Sequence, residues 1–503
     1  MFLELRAVEE AGLPLSTAKP FLDKPGFLPL TWGVKFCTIS CFPRRVVRKR
    51  WVIPYSFLFI YFHFMLKKIS QKGPEIKPQL TAPAEQSGGQ TRPMVSQSGQ
   101  AEEVKKEVVA NRVAFVPPQT QPARPVYTPP PIKTEILEPI SGILDVTSEG
   151  SGFVRPKFLP NGKDAVIGQM QMRRYGLRAG DLVLGMAKAP KDNEKYWGLV
   201  RIDKVNGTEV AAALNRPDFK DLVPIYPIKQ LKLETDPRIF STRIIDLFCP
   251  IGYGQRGMVA SPPKAGKTTL LKEIAAGVTA NHPEVYLMAV LVGERPEEVT
   301  DMQRFIKGEV IASHFDQKPE EQTRAAEVAI ERAKRLVEMG KDVFMVFDSI
   351  TRLARAYNLA IPTSGRTLSG GFDPAALYPS KKFFGAARKI EGGGSLTIIG
   401  TALVDTGSKM DELIFEEFKG TGNMELWLTR ELAERRVFPS FDILKSGTRN
   451  EELLLDEVTM GKIIAIRRMF DAIGDKNGTT ERIIEQLAKT KDNAEFLAKV
   501  GKK

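Results

Sequence analysis

Apolar and polar residues alternate in two different ways along this chain, and the change between them predicts two folded domains. Between residues 139 and 225, short apolar runs such as 181–188 are separated by turn-forming residues, a pattern typical of a small β-barrel. From 226 to 503, apolar runs such as 285–294 alternate with segments of helical periodicity, one of which ends at Gly340. This second pattern indicates a parallel sheet covered by helices, so we expect an α/β core that follows the barrel.

The first 138 residues show neither pattern. Residues 65–138 are rich in Pro, Gln, Ser and Gly, and such a segment buries too little apolar surface to offset its ordering entropy, which predicts a disordered linker. Residues 1–64 contain a basic run and then roughly 15 mostly apolar residues, fewer than the ~20 that a membrane helix needs. We interpret residues 1–64 as an extension added by a mis-assigned start, with translation beginning at Met65; a membrane anchor is the alternative.

Charge and cysteine content narrow the class of protein. The 503 residues carry a formal net charge of +13, which favours a polyanionic partner such as nucleic acid or a membrane surface; a generally basic, solvated surface is the alternative. The three cysteines, Cys37, Cys41 and Cys249, form no disulfide framework and lack the four ligands of a structural zinc site. This use of cysteine fits a reducing cytoplasm, where we expect the protein to lie. Of the two polyanionic partners we expect nucleic acid, and no membrane.

A phosphate-binding loop lies between an apolar run and a helical segment. Gly266, Lys267 and Thr268 fit the pattern G-x-x-x-x-G-K-[ST], but Ser261 stands where the first glycine is usual. Backbone N–H groups at a helix start face phosphates, Lys267 supplies a charge, and Thr268 offers a hydroxyl to Mg²⁺. The residues predicted to bind ATP here are Ser261, Pro262, Pro263, Lys264, Ala265, Gly266, Lys267, Thr268 and Thr269.

Two acidic residues end apolar runs of the predicted core. Asp348 is placed as a magnesium ligand, and Glu294 is placed to orient and deprotonate a water in line with the γ-phosphate. The alternative for each is a helix N-cap, because both precede predicted helices. Hydrolysis also needs positive charge on the far side of the γ-phosphate, for which Arg295, Arg436 and Arg449 are candidates that spacing alone does not place.

Aromatic and basic residues are interleaved in the predicted barrel. Aromatic rings give bases a stacking surface and cationic side chains follow phosphates, so this pattern favours nucleic-acid binding. The alternative is that half of the aromatic residues belong to the core. The residues concerned are Phe153, Arg155, Arg173, Arg174, Tyr175, Lys195, Tyr196 and Trp197.

Several long segments closely resemble the bacterial transcription termination factor Rho family, whose members are RNA-dependent ATPases and RNA–DNA helicases. The segments include CPIGYGQRGMVASPPKAGKTTLL, DSITRLARAYN and RRVFPSFDILKSGTRNEELL, and the resemblance runs from about residue 142 to residue 498. It implies a RecA-like P-loop ATPase core behind an OB/cold-shock-like barrel, and a homohexameric ring with ATP and Mg²⁺ between neighbouring subunits. A small residue at Ser261 is a trait of this family.

The resemblance also implies roles for individual residues. Lys264 would join Lys267 at the phosphates, Phe438 would pack on adenine, and Arg295 would lie beside the base Glu294. Arg449 would be an arginine finger that reaches the adjacent subunit's site, and Arg436 would sense the γ-phosphate. RNA would be held in the pore by Arg366, Gly407, Ser408 and Lys409, and on the barrel by Phe153, Arg155, Glu194, Lys195 and Tyr196, with the RNA polymerase elongation complex as a further partner.

The chain departs from the family pattern at three places. Ser151 and Val166 stand where aromatic residues are common in the barrel. Because a stacked base contributes roughly 1–3 kcal/mol, the loss of two rings should reduce the strength of RNA binding or its preference for pyrimidine-rich RNA. The helical N-terminal module of many members is replaced by the Pro/Gln-rich linker. The alternatives to this family are a rotary ATP synthase subunit or DNA recombinase with the same type of core, and a non-enzymatic RNA-binding scaffold.

Overall fold

The structure is a computed structural model that describes residues 137–147, 149–191, 194–474 and 476–500. The predicted extension, 1–64, lies outside the described residues. The predicted linker, 65–138, does so as well, except for its last two residues, which belong to the first strand of the barrel.

The first part of the described chain is a small closed β-barrel. Its strands follow the order β3-β2-β1-β4-β5-β6, and an additional pairing of β3 with β5 closes the sheet on itself. Alternate residues point inward, so that Leu144, Val154, Ile167 and Val183 are completely buried. The elements are β1 (Leu137–Val146), β2 (Gly152–Arg155), β3 (Ala165–Ile167), α1 (Gln169–Arg174), β4 (Leu182–Lys188), β5 (Trp197–Val205), β6 (Thr208–Glu209) and α2 (Val210–Leu214). The predicted barrel is confirmed.

The second part is a mainly parallel sheet with helices on both faces. The strands follow the order β10-β9-β11-β13-β8-β14-β15, with β12 and β7 attached beside β13. The strands are β7 (Pro224–Ile225), β8 (Arg256–Ser261), β9 (Tyr286–Glu294), β10 (Glu309–His314), β11 (Asp342–Asp348), β12 (Arg388–Ile390), β13 (Ser395–Leu403), β14 (Met424–Trp427) and β15 (Gly447–Thr448). The helices are α3 (Phe240–Phe248), α4 (Lys267–Asn281), α5 (Pro296–Phe305), α6 (Pro319–Glu338), α7 (Ile350–Ala360), α8 (Pro374–Phe384), α9 (Lys409–Lys419), α10 (Arg430–Glu434), α11 (Glu457–Ile473), α12 (Lys476–Ala488) and α13 (Asn493–Lys499).

Strand β9 shows why the apolar runs of the core are continuous. Leu287 and Leu291 join one hydrophobic cluster, whereas Met288 and Val290 join the cluster on the opposite face of the sheet. A strand that is buried on both faces needs apolar residues at successive positions, which is typical of parallel sheets. The α/β core predicted from this pattern is confirmed.

The helix α6 ends where the sequence predicts. Pro319 occupies its first turn, where a missing backbone N–H costs no hydrogen bond. Gly340 follows the helix with φ +76°, a left-handed conformation that glycine adopts without a Cβ penalty. The end of this helix therefore follows from backbone conformation.

The carboxylate of Glu338, at the end of α6, joins the barrel to the core. It lies 3.0 Å from Arg178, 3.5 Å from Arg216 and 2.9 Å from Arg335, and it accepts the backbone N–H of Phe219 at 2.9 Å. Its side chain is fully buried.

The domain boundary at residue 225 stays a prediction. The pairing of Pro224–Ile225 with β12 attaches that segment to the large sheet.

We expect the substitution Glu338→Ala to lower the free energy of unfolding by about 3–5 kcal/mol, because it removes the buried carboxylate that three arginines share. Denaturant unfolding of both proteins under one set of conditions measures the difference. Glu434→Gln is the control, since Glu434 and its partner Arg430 are both mostly exposed and the change should stay within about 1 kcal/mol. Equal effects of the two substitutions would contradict the importance of this junction.

Candidate active site and nucleic-acid interface

The phosphate-binding loop connects β8 to α4. Ser261 is the last residue of β8 and pairs with Leu403, so its backbone is extended and this position does not require glycine. Gly266, by contrast, caps α4 with φ +89° and ψ 19°. The loop therefore leads directly into the first turn of α4, whose free backbone N–H groups can bind an anion.

Lys267 lies between two carboxylates that end neighbouring strands. Its Nζ is 2.9 Å from Glu294, at the end of β9, and 2.7 Å from both oxygens of Asp348, at the end of β11. Burial acts to lower the pKa of Lys267, but the charges of Asp348 and Glu294 outweigh it and raise the pKa above its ordinary value. Lys267 is thus a permanent cation at the start of α4.

Neither carboxylate serves as a helix cap. The N-cap of α5 is Arg295, and α7 is capped by Ser349, whose hydroxyl accepts a hydrogen bond from the Arg352 N–H. Glu294 and Asp348 are instead both buried at the sheet edge beside Lys267. The capping alternative that the sequence leaves open does not describe this site.

Two further side chains fix these carboxylates. Arg352, in the first turn of α7, lies 3.0 Å from Glu294, and the Thr401 hydroxyl donates to Asp348 at 2.6 Å. Burial raises the pKa of Glu294, the negative charge of Asp348 adds to the rise, and Lys267 and Arg352 oppose it. A raised pKa makes a glutamate a stronger proton acceptor, as a general base at neutral pH requires.

A cavity of about 430 Å³ lies beside the loop. Phe438 lines it and is 48% exposed, which leaves an aromatic face open; its ring lies 3.6 Å from where a Cβ on Gly266 would be. The lining also includes Lys264, Ala265 and Thr269. We call this cavity the base pocket, because an aromatic face next to a phosphate loop suits the ring of a nucleotide.

The predicted arginines do not all reach this site. Arg295 and Arg436 are exposed; Arg436 precedes Phe438 by two residues, and Arg295 makes a 3.4 Å contact with Glu298. Arg449 lies at the other end of the sheet, in a cavity that Arg256 also lines. Since β8 separates Arg256 from the loop by roughly 16 Å, Arg449 is too far away to touch phosphates bound at Lys267 of its own chain.

An aromatic cluster marks the surface of the barrel. The rings of Phe153 and Tyr196 meet edge to face with centroids 5.1 Å apart, and the Lys195 ammonium lies 5.4 Å from the Tyr196 ring. Val166 pairs directly with Phe153 in the strand register, so the departure from the family pattern falls inside this cluster. Glu194, next to Lys195, is exposed.

Arg155 differs from the expectation of a free phosphate-binding side chain. Its guanidinium is buried and donates to Asp145 at 2.8 Å and to Asp164 at 2.9 Å, while lying 5.3 Å from the Phe153 ring. Asp145 also pairs with Arg324 of α6. The two carboxylates take up two of the five N–H donors of Arg155 and hold its guanidinium beside the Phe153 ring, while its contact with RNA stays a prediction.

The other predicted barrel arginines lie on α1. Arg173 and Arg174 form its last turn and are exposed, and the guanidinium of Arg174 lies 5.7 Å from the Tyr175 ring. Their guanidinium groups are therefore accessible to phosphates, in contrast to that of Arg155.

The two predicted pore loops lie against each other. A Cβ on Gly370, in the loop that carries Arg366, would come within 2.6 Å of the backbone N of Met410, which follows Lys409. Arg366, Gly407 and Lys409 are exposed, and Ser408 is half-buried. The structure thus brings these four predicted RNA-binding residues into two adjoining loops.

The buried carboxylate of Asp411 supports the second loop through one ion pair and one hydroxyl hydrogen bond. Asp411 accepts hydrogen bonds from Arg355 of α7 at 2.9 Å and from the Thr406 hydroxyl at 2.6 Å. Arg352 and Arg355 are three residues apart on α7, one facing the phosphate site and the other this loop. Sequence reasoning missed both arginines, although their helical spacing directly after Asp348 is a signal that could have found them.

A phosphate loop, a lysine between two strand-end carboxylates and a preceding barrel define the class: a P-loop ATPase with an RNA-binding domain. Residues 241–448 match the ATP synthase alpha/beta family, nucleotide-binding domain, and residues 140–211 match the Rho termination factor, RNA-binding domain. The first match alone would also fit an ATP synthase subunit.

Full-length relatives decide the family. Transcription termination factor Rho of Bacillus subtilis is 54% identical over 360 residues, which cover 71% of this chain and 84% of that protein. The factor of Thermotoga maritima is 52% identical over 72% of this chain and 85% of its own length, and that of Streptomyces lividans is 54% identical over 73% and 52%. The chain belongs to the family of Rho transcription termination factors. Within the described ranges, no helix is long and apolar enough to span a membrane.

We expect Gly370→Ala to impair RNA-stimulated ATP hydrolysis strongly, because the added Cβ would collide with the backbone at the start of α9 and separate the two loops. Gly371→Ala is a matched control. Gly371 also has a positive φ, +77°, but a Cβ there would meet nothing within 4 Å. ATPase assays with and without RNA measure the effect; equal loss in both variants would show that backbone strain, and not loop contact, is responsible.

Proposed function

We propose that this chain forms a homohexameric ring that hydrolyses ATP to move along single-stranded RNA, unwinds RNA–DNA hybrids and ends transcription by RNA polymerase. The observation that carries the proposal is the placement of Lys267 between Glu294 and Asp348, with Arg449 at the opposite end of the same sheet. The first group would form one side of a hydrolytic site, and Arg449 would supply a cation to the site of an adjacent subunit.

ATP would bind with its phosphates at the start of α4 and its adenine against Phe438. Lys267 would contact the β- and γ-phosphates, with Lys264 beside them in the loop. The residues fit Mg²⁺, since the Thr268 hydroxyl and the Asp348 carboxylate are oxygen donors and Asp348 already attracts a cation, the Lys267 ammonium. When bound there, Mg²⁺ would supply neutralisation of the phosphate charge.

Glu294 would act as the general base. Its carboxylate accepts a proton from a water, whose oxygen forms a bond to the γ-phosphorus as the bond to the β-phosphate oxygen breaks and ADP leaves. Arg352 holds Glu294 in place, and Arg295 and Arg436, exposed near the site, would contact the γ-phosphate as hydrolysis proceeds. Burial of Glu294 supports this role through its raised pKa.

RNA would be held at two places. The Phe153–Tyr196 cluster with Glu194 and Lys195 suits stacked bases, and the missing rings at Ser151 and Val166 would weaken its preference for pyrimidines. The exposed arginines of α1 would add phosphate contacts. The loops of Arg366 and Lys409 would grip the strand inside the ring.

Helix α7 offers a route between hydrolysis and these loops. It starts after Asp348, contacts Glu294 through Arg352 and contacts Asp411 through Arg355. Both arginines lie in the N-terminal half of this rigid helix, so a change of charge at the γ-phosphate would move the part of it that also holds Asp411. We propose that this movement shifts Lys409 and pulls RNA.

Addition of poly(C) should stimulate ATP hydrolysis by the purified protein, and Lys409→Ala should abolish the stimulation while circular dichroism stays unchanged. The reason is that Lys409 is an exposed cation at the carboxyl edge of the sheet. Lys307→Ala is the control, because Lys307 is exposed at the opposite edge, before β10. Hydrolysis without any RNA dependence in the unmodified protein would reject the proposed function.

A mixture of Arg449→Ala and Glu294→Gln subunits should hydrolyse ATP faster than the two separate variants together. Each pure ring lacks one group at every site, whereas random mixing in a cyclic ring completes about a quarter of the interfaces. Steady-state ATPase after mixing and reassembly measures the gain. A mixture no faster than the sum of its parts would show that Arg449 does not act across subunits.

A further inference from the structure

One face of α4 lines the base pocket beyond the phosphate loop. Gly266, Thr269, Leu270 and Glu273 follow the spacing of a single helix face, and all four line the cavity with Phe438. Three of these groups are small or apolar. Glu273 is the one charged residue of this face, six positions after Lys267.

Glu273 has an environment unusual for a carboxylate. Among the described residues, its hydrogen-bond partner is the Ser241 hydroxyl, at the start of α3, and burial raises its pKa above the ordinary value. The two cations that also line the pocket lie elsewhere in it: Arg238 contacts Asp236, and Lys264 belongs to the phosphate loop. One hydrogen bond leaves acceptor capacity of the carboxylate free.

The length of a nucleotide would bring its base toward this residue. Glu273 follows Lys267 by six positions, which corresponds to a rise of about 9 Å along α4. A nucleotide with its phosphates at Lys267 and its ring on Phe438 extends along this face. The edge of the ring would then lie in the cavity that Glu273 lines together with Phe438.

We infer that Glu273 selects adenine, by accepting a hydrogen bond from the exocyclic amine of the base. This inference rests on the proposed ATPase function and adds its base specificity. A carboxylate only accepts hydrogen bonds when ionised, and adenine presents an N–H donor where guanine and hypoxanthine present a carbonyl oxygen. The wrong base would place two acceptors opposite each other and leave both unpaired.

The test compares kcat/KM for RNA-stimulated hydrolysis of ATP and ITP, which differ at the exocyclic position. We expect the unmodified protein to prefer ATP, and Glu273→Gln to reduce the ATP/ITP ratio about tenfold, mainly through KM, because a glutamine amide can also donate to a carbonyl. Glu485→Gln, at an exposed position of α12, should leave the ratio unchanged. An unaltered ratio in Glu273→Gln would overturn the inference.

Two further measurements separate other outcomes. If Glu273 contacts the ribose instead, Glu273→Gln would change the ATP/dATP ratio and leave ATP/ITP unaltered, which also overturns the assignment. Calorimetric affinities for ADP and IDP give the same base ratio from binding alone. A protein that binds ADP selectively through Glu273 but shows no RNA-stimulated hydrolysis would support this inference and reject the proposed function.

Discussion

The site depends on one electrostatic arrangement: the ammonium of Lys267 between the buried carboxylates of Glu294 and Asp348. Two carboxylates at the ends of adjacent parallel strands would repel each other, and Lys267 compensates this repulsion. The strand order brings β9, β11 and the loop after β8 to the same edge, so the sheet topology itself creates the charge cluster. The charge cluster is therefore a property of the fold and not of any single loop.

The carboxyl edge of the sheet also links the phosphate site to the loop that carries Lys409. Thr401 on β13 bonds to Asp348, and two residues after the end of that strand the chain enters the loop of Lys409. Helix α7 makes a second connection through Arg352 and Arg355. Both links consist of backbone in regular elements plus short hydrogen bonds to buried carboxylates, which transmit displacement better than a flexible loop would.

The two folded domains and the phosphate loop could be predicted from the sequence, because hydrophobic periodicity and turn-forming glycines depend only on nearby residues. Continuous apolar runs predicted the parallel sheet, and Gly266 with Lys267 and Thr268 located the phosphate loop. Contacts between remote residues could not be predicted in this way. The shared carboxylate of Asp145 and the burial of Arg155 depend on how α6 packs on the barrel, and neither leaves a periodic pattern in the sequence. The position of Arg449 followed only from the register of β14 and β15.

The opposite placement of Lys267 and Arg449 has a mechanical consequence. Strand β8 fixes the separation between the two ends of the sheet, and a fully bonded central strand does not stretch. In the proposed ring, a small rotation of one whole subunit would withdraw its Arg449 from the nucleotide of one neighbour. The same rotation would move its Lys267 relative to the other neighbour. Successive hydrolysis at the sites of the proposed ring would then require rotation of rigid subunits against one another, and no refolding within a subunit.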